Sequence, residues 1–123
     1  MQRVVPALRV KSCAASMEFD SRLGFAMEWE HRFEPSFPVF ASIHWDGMQI
    51  FLTEHTGDCQ FGGLVHFDIP DVDGYYREIR DRGVAVVQAP ENSLGPHLRD
   101  MVVVDPDGNR LCFLTRSADR KRE

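Results

Sequence analysis

The side chains of this 123-residue chain that could ligate a metal or attack an electrophile are three cysteines and five histidines. Cys13, Cys59 and Cys112 are odd in number and lack CxxC spacing, so a secreted disulfide framework is not expected and a reducing cytoplasm fits better. His66 lies in the apolar run LVHFDI (64–69) and has two readings: a base or hydrogen-bonding group for a ligand, or a half-buried strand histidine bonded to a neighbour. Cys112, in RLCFLT (110–115), reads as a small buried apolar residue rather than a nucleophile, because no base is identifiable beside it. Arg99 suits either a ligand carboxylate or an ion pair within its own hairpin. No HExxH, GxSxG, P-loop or dinucleotide fingerprint occurs, and Gly62-Gly63 reads as a hinge rather than a phosphate cradle.

The bulk numbers narrow the classes. Hydrophobic residues are 43% and charged residues 27% of the chain, an ordinary balance for one soluble globular domain with its own core. The net charge of −5 and the lack of a basic patch interleaved with aromatics exclude nucleic acid as an expected partner. An acidic surface would tolerate or attract a cation, although simple solubility is the first explanation of it. No stretch reads as a signal peptide or reaches membrane-spanning length, and the charged tail SADRKRE (117–123) is expected to fray.

The elements that must position these groups are legible in order. VVPALRV (4–10) reads as a strand with Pro6 near its start. Ser12 caps a helix that stops at Gly24. FAMEWEHRF (25–33) is a strand, EPSFP a breaker, and VFASIHW (39–45) and MQIFLT (48–53) a hairpin across Asp46-Gly47. After the polar segment EHTGDCQFGG (54–63) come the strand 64–69, a helix capped by Asp71 and ending at Gly83, and a strand VAVVQ (84–88). APENSLGPH reads as a loop, and 98–104 and 110–115 form a last hairpin across Asp105-Pro106-Asp107-Gly108.

This order, strand, helix, three strands, occurs twice. A shift of 59 residues carries Leu8 onto Phe67, Ser12 onto Asp71 and Gly24 onto Gly83; late in each half the shift is 61 and carries Asp46-Gly47 onto Asp107-Gly108. Caps, stops and turns coincide, which argues for a duplicated βαβββ module. The expected division is module one 1–55, linker 56–62, module two 63–116 and tail 117–123.

The stretches RVKSCAASMEFDSRLGF (9–25), HFDIPDVDGYYREIRDRGV (66–84) and LRDMVVVDPDGNRLCF (98–113) resemble the glyoxalase / bleomycin-resistance / extradiol-dioxygenase superfamily, the vicinal oxygen chelate fold. The resemblance implies an α+β fold in which two βαβββ modules curl a mixed sheet into an open cup. Enzymes of that family hold one divalent metal there through His, Glu or Gln at four pseudo-symmetric strand positions. Carried over, those positions hold Val5, Phe51, Leu64 and Cys112, of which only the thiol could bind a metal. The resemblance is therefore to the metal-free, bleomycin-resistance branch, whose dimers sequester bulky planar cations in grooves at their interface. VVPAL (4–8) and TEHTGD (53–58) look like that branch; Asp20 after Phe19, and Pro96-His97 before Leu98-Arg99, depart from its pattern.

Strand parity then gives a site. Leu8, Val10, Phe67, Ile69, Leu111 and Phe113 are expected to face the helices. The opposite parity, including Val5, Ala7, Arg9, Gln49, Phe51, Thr53, Leu64, His66, Asp68, Arg110, Cys112 and Leu114, is expected to face the cup. Around the second and third strands Phe33, Phe37, Phe40 and Trp45 form an aromatic cluster suited to flat rings, or else core and dimer interface, and His44 is expected near the rim. The expected ligand-binding set is Phe33, Phe37, Phe40, His44, Trp45, Gln49, Phe51, Leu64, His66, Arg99 and Cys112, with no catalytic residue, metal ligand or cofactor. The expected protein is a cytoplasmic homodimer that sequesters an antibiotic-like small molecule without chemistry or membrane contact. Two alternatives stay open: a divergent metal-dependent glyoxalase- or dioxygenase-like enzyme using His66, His44 or Cys112, and a binding module for a metabolite.

Overall fold

The computed structural model describes residues 2–117. Contacts divide them into two compact units: the residues through Gly63 together with Asp105–Asn109, and Leu64–Val104 together with the residues from Arg110 onward.

The first unit is built around helix α1 (Cys13–Leu23). The Ser12 side chain accepts from the Ala15 N–H, and Gly24, at φ +114°, ends the helix in the left-handed region that a side chain would strain. The strands are β1 (Ala7–Arg9), β2 (Ala26–Arg32), β3 (Val39–Trp45) and β4 (Met48–Thr53). They form one mixed sheet in the order β1-β4-β3-β2, with β1 parallel to β4 and the rest antiparallel. Only 7–9 of the expected first strand carry strand geometry, although the Phe51 N–H bonds the Pro6 carbonyl just before it.

The second unit repeats the plan. Its strands are β5 (Leu64–Asp68), β6 (Gln88–Glu91), β7 (Leu98–Val104) and β8 (Arg110–Arg116), ordered β5-β8-β7-β6, with helix α2 (Val72–Asp81) capped by Asp71. The registers match too. Ala7 lies opposite Phe51 and Ser42 opposite Phe51, while His66 lies opposite Cys112 and Val102 opposite Cys112. The duplicated module inferred from the sequence is thus present as two α+β units of the same topology.

The strand expected at 84–88 lies elsewhere. The sequence VAVV looks like a strand, but Val84 is buried with its N–H bonded to the Ile79 carbonyl at the end of α2, and Val87 is exposed. The ladder with β7 begins at Gln88, with the Val87 N–H bonded to the Val102 carbonyl just before it, and takes in Ala89-Pro90-Glu91, which the composition marked as loop. Pro90 is tolerated there because β6 is the outermost strand.

Each unit has its own core. Leu8, Val10, Leu23, Ile43 and Leu52 are buried in the first; Phe67 stacks on Phe113 at 4.8 Å in the second, with the Tyr75 ring 4.9 Å from Phe113. Burial of such side chains contributes roughly 1.5–3 kcal/mol each. All six residues expected to face the helices, Leu8, Val10, Phe67, Ile69, Leu111 and Phe113, are buried. The DPDGN turn is held by its own side chains. The Asp105 carboxylate accepts from the Asp107 and Asn109 N–H groups, and the fully buried Asn109 amide donates to the Arg9 carbonyl and accepts from the Gly63 N–H.

Candidate functional site

The side chains that gather into a site lie on one face of the first unit's sheet. Successive residues of a strand point to opposite faces, so Phe40, Ser42 and His44 of β3 share a face with Gln49, Phe51 and Thr53 of β4. On β2 the alternation is interrupted by a register shift between Met27 and Trp29. The extra residue is Glu28, and the result is that Glu28 and Trp29 both project onto the face that carries Ser42.

Three rings meet there. Phe40 and Phe51 have centroids 5.1 Å apart, Trp29 stacks on Phe40 at 6.1 Å, and Trp29 tilts on Phe51 at 5.8 Å. A cavity of about 380 Å³ opens beside them, lined by Trp29, His31, Phe33, Phe40, His55 and Asp58. Phe33 stands edge-on between His31, at 4.5 Å, and His55, at 6.0 Å, and is 67% exposed. Asp58 is fixed by the Thr53 hydroxyl, which donates to it at 2.6 Å. His55 Nε2 and Arg9 Nε are shut off from solvent without a hydrogen-bond partner among the described residues. At the other end of the rings, the Ser42 hydroxyl and the Gln49 amide both donate to one oxygen of Glu28, at 2.7 and 3.2 Å.

The residues expected from sequence divide sharply. Phe40, Phe51 and Gln49 come together, with Phe33 at the cavity rim. His44 is exposed, opposite Gln49 in the ladder. Phe37 is exposed in the turn after β2, where its carbonyl accepts from Arg32. Trp45 alternates with His44 and lies on the other face, packed edge-on against Phe25 at 5.6 Å and over Gly24, so it leaves the aromatic cluster. Arg99 is not ion-paired within its own hairpin: its Nε donates to both oxygens of Asp73 on α2, which raises its pKa.

In the second unit Leu64 is 57% exposed, and His66 is exposed without a hydrogen bond among the described residues rather than half-buried and bonded. Cys112 is buried, and burial pushes its thiol pKa up, so it is not a ready thiolate. Of the positions where family enzymes would keep metal ligands, Phe51 is committed to a ring cluster, Val5 and Leu64 carry no donor, and Cys112 is a buried protonated thiol. Among the described residues, no three His, Cys, Asp or Glu side chains gather as a metal set. The residues at those four positions do not fit a resident divalent metal.

Glu28, Trp29, His31, Ser42, His55 and Asp58 were missed by sequence reasoning. Trp29 and His31 had a signal, since they sit in a run read as a strand, but the bulge reversed the parity that would have aimed them.

Comparison with known proteins places this geometry in context. No curated protein matches the chain. Solved structures of like fold include a bleomycin-binding protein complexed with bleomycin (19% identity, TM-score 0.75, 94% of this chain and 99% of that one). Another is TnmS3, an antibiotic binding protein from Streptomyces sp. CB03234 (20%, 0.74, 94% and 97%). A third is a glyoxalase/bleomycin resistance protein/dioxygenase superfamily member from Sphaerobacter thermophilus (21%, 0.72, 94% and 98%). No described helix is long and apolar enough to cross a membrane. The family model for glyoxalase superfamily proteins matches residues 1–120, and with two βαβββ units in matching register the chain belongs to that superfamily.

Proposed function

We propose that this protein binds a planar, cationic or aromatic antibiotic-like small molecule and acts by sequestration rather than by chemistry. The observation that carries the reading is the Trp29–Phe40–Phe51 cluster beside an open cavity, flanked by carboxylates at Glu28 and Asp58. Flat rings gain about 0.5–1.5 kcal/mol from each well-placed aromatic contact beyond the area they bury, and a cation over such faces gains more. Solved relatives of like fold that bind bleomycin and another antibiotic support the same class of ligand. The four residues where enzymes of the family hold metal supply no ligand set, which favours binding over a metal-dependent reaction.

The working form is a homodimer. Every residue of β2 is exposed although it is a seven-residue strand at a sheet edge, and such an edge invites pairing. The free thiols Cys13, Cys59 and Cys112 suit the reducing cytoplasm.

The test is a bleomycin titration followed by tryptophan fluorescence, on protein purified without chelator and assayed for metal, with sedimentation to give the oligomeric state. Trp29 is the reporter at the site, since Trp45 is packed against Phe25. Saturable quenching without stoichiometric metal is the expected result. A stoichiometric divalent metal, or no quenching by bleomycin or other flat cations, overturns the reading.

A further inference from the structure

We propose that Glu28 is the residue that selects a positive charge in the ligand. This inference rests on the binding reading above and adds its ligand class: a planar aromatic cation whose charge lies on, or one bond outside, its ring system.

The bulge at Met27/Trp29 places a carboxylate on the ring-bearing face instead of leaving it in the alternation of an exposed edge strand. Only Glu28 Oε1 is engaged, by Ser42 Oγ at 2.7 Å and Gln49 Nε2 at 3.2 Å, and Gln49 Nε2 also donates to Ser42 Oγ at 2.9 Å. These donors are neutral. They fix the carboxylate without neutralising it, and among the described residues Glu28 has no ion pair. Oε2 is left to accept from a cation. Ser42 is fully buried beneath this arrangement, so the anchor stands on a rigid support.

Position sets the ligand's shape. Ser42, which holds the carboxylate, lies opposite Phe51 on β4 and opposite Trp29 on β2, so the charge stands directly beside two of the three rings. A fused-ring cation lying on Phe51 and Trp29 would bring a charge on or next to its ring system against Glu28. The Asp58 end of the rings differs. His31 and His55 line the same cavity, and Arg9, opposite Thr53 in the ladder, brings a positive charge to that end. A single cation is therefore favoured at the Glu28 end. A ligand cation there exchanges water for an ion pair with the carboxylate beside a low-dielectric aromatic surface, which strengthens it and needs no donor hydrogen on the ligand.

The experiment compares N-methylacridinium with acridine, the same tricycle with and without a fixed charge, at mildly alkaline pH where acridine is neutral. Dye anisotropy and Trp29 quenching report binding to the wild type and to Glu28→Gln, which can still accept from Ser42. The wild type should prefer the cation by about tenfold, and Glu28→Gln should erase that preference by weakening only the cation. Urea unfolding and retained acridine affinity show that the variant is folded. Equal wild-type affinity for the two dyes overturns the role of Glu28 while leaving the aromatic site standing. So does a Glu28→Gln variant that weakens both dyes alike, which would make Glu28 a brace for β2. Binding of neither dye, including exclusion of both by a second copy seated on this face, overturns both readings.

Discussion

Asp20 on α1 exposes only 4% of its surface to water, and among the described residues the one side chain bonded to its carboxyl group is the Ser16 hydroxyl at 3.1 Å. Burial pushes its pKa up to about 7; the Ser16 bond opposes this, and Asp105 and Asp107 add to the rise. The folded state therefore holds a proton that the unfolded chain releases near the ordinary value of about 4. Stability from this group is intact below that value and declines as pH rises toward about 7. Asp20→Asn keeps an acceptor for Ser16 and removes the ionisation. It should stabilise the protein by on the order of 2 kcal/mol at about pH 8 and by little at about pH 4. Urea unfolding at the two pH values measures this, and an equal effect at both would sink it. The cysteines show the same physics without a functional consequence: burial and the neighbouring Glu54 push the Cys13 thiol up to about 12, so it packs rather than reacts.

One carboxylate ties the N-terminus of helix α1 to its sheet. Glu54, just after β4, accepts from the Cys13 N–H at 2.8 Å and the Val39 N–H at 3.0 Å, joining the helix N-terminus to the start of β3. Burial alone would raise its pKa, but these backbone donors outweigh it and the net shift is downward. Its stabilisation is present above the ordinary carboxylate pKa and is lost as pH falls through the lowered value. Glu54→Gln should cost about 1–2 kcal/mol at neutral pH, with the gap closing under acid. Thermal or urea midpoints across that range check it; a gap independent of pH would show that the charge does not matter. Local signals such as Ser12, Gly24 and Asp71 were legible in the sequence because a cap depends on a few neighbouring residues. The bulge at Glu28 was not, because an extra residue in a strand changes no composition; it alters only pairing with β3. The start of β6 was misplaced for the same reason, since β7 decides where that edge begins to pair. Phe40 and Phe51 could be aimed from β3 and β4 alone, which alternate cleanly, whereas Trp45 was grouped with them by type against its own parity.

Across the whole molecule the duplication has been put to unequal use. Matching registers pair Trp29, Phe40 and Phe51 of the first sheet with Gln88, Asp100 and Cys112 of the second. The aromatic triad is thus replaced by a polar set: the Gln88 amide donates to Asp100, and the Ser93 hydroxyl donates to both of its carboxylate oxygens, at 2.7 and 2.9 Å. Asp100 is buried and satisfied within its own unit, so its position does structural work, whereas the rings of the first unit stay partly exposed, with Trp29 at 42%. Binding should then reside in one half of the duplicated fold. Phe40→Ala should weaken binding of bleomycin or N-methylacridinium by about tenfold or more, because it removes the ring that both Trp29 and Phe51 touch. Asp100→Ala should leave that affinity within about twofold and instead cost on the order of 1 kcal/mol of stability, by leaving Ser93 without its acceptor and Gln88 with only the residue-100 carbonyl. Calorimetric titration and urea unfolding of both variants separate the two effects. Equal loss of affinity in both would mean that the second sheet shares the site, and that the asymmetry between the units is one of packing rather than of function.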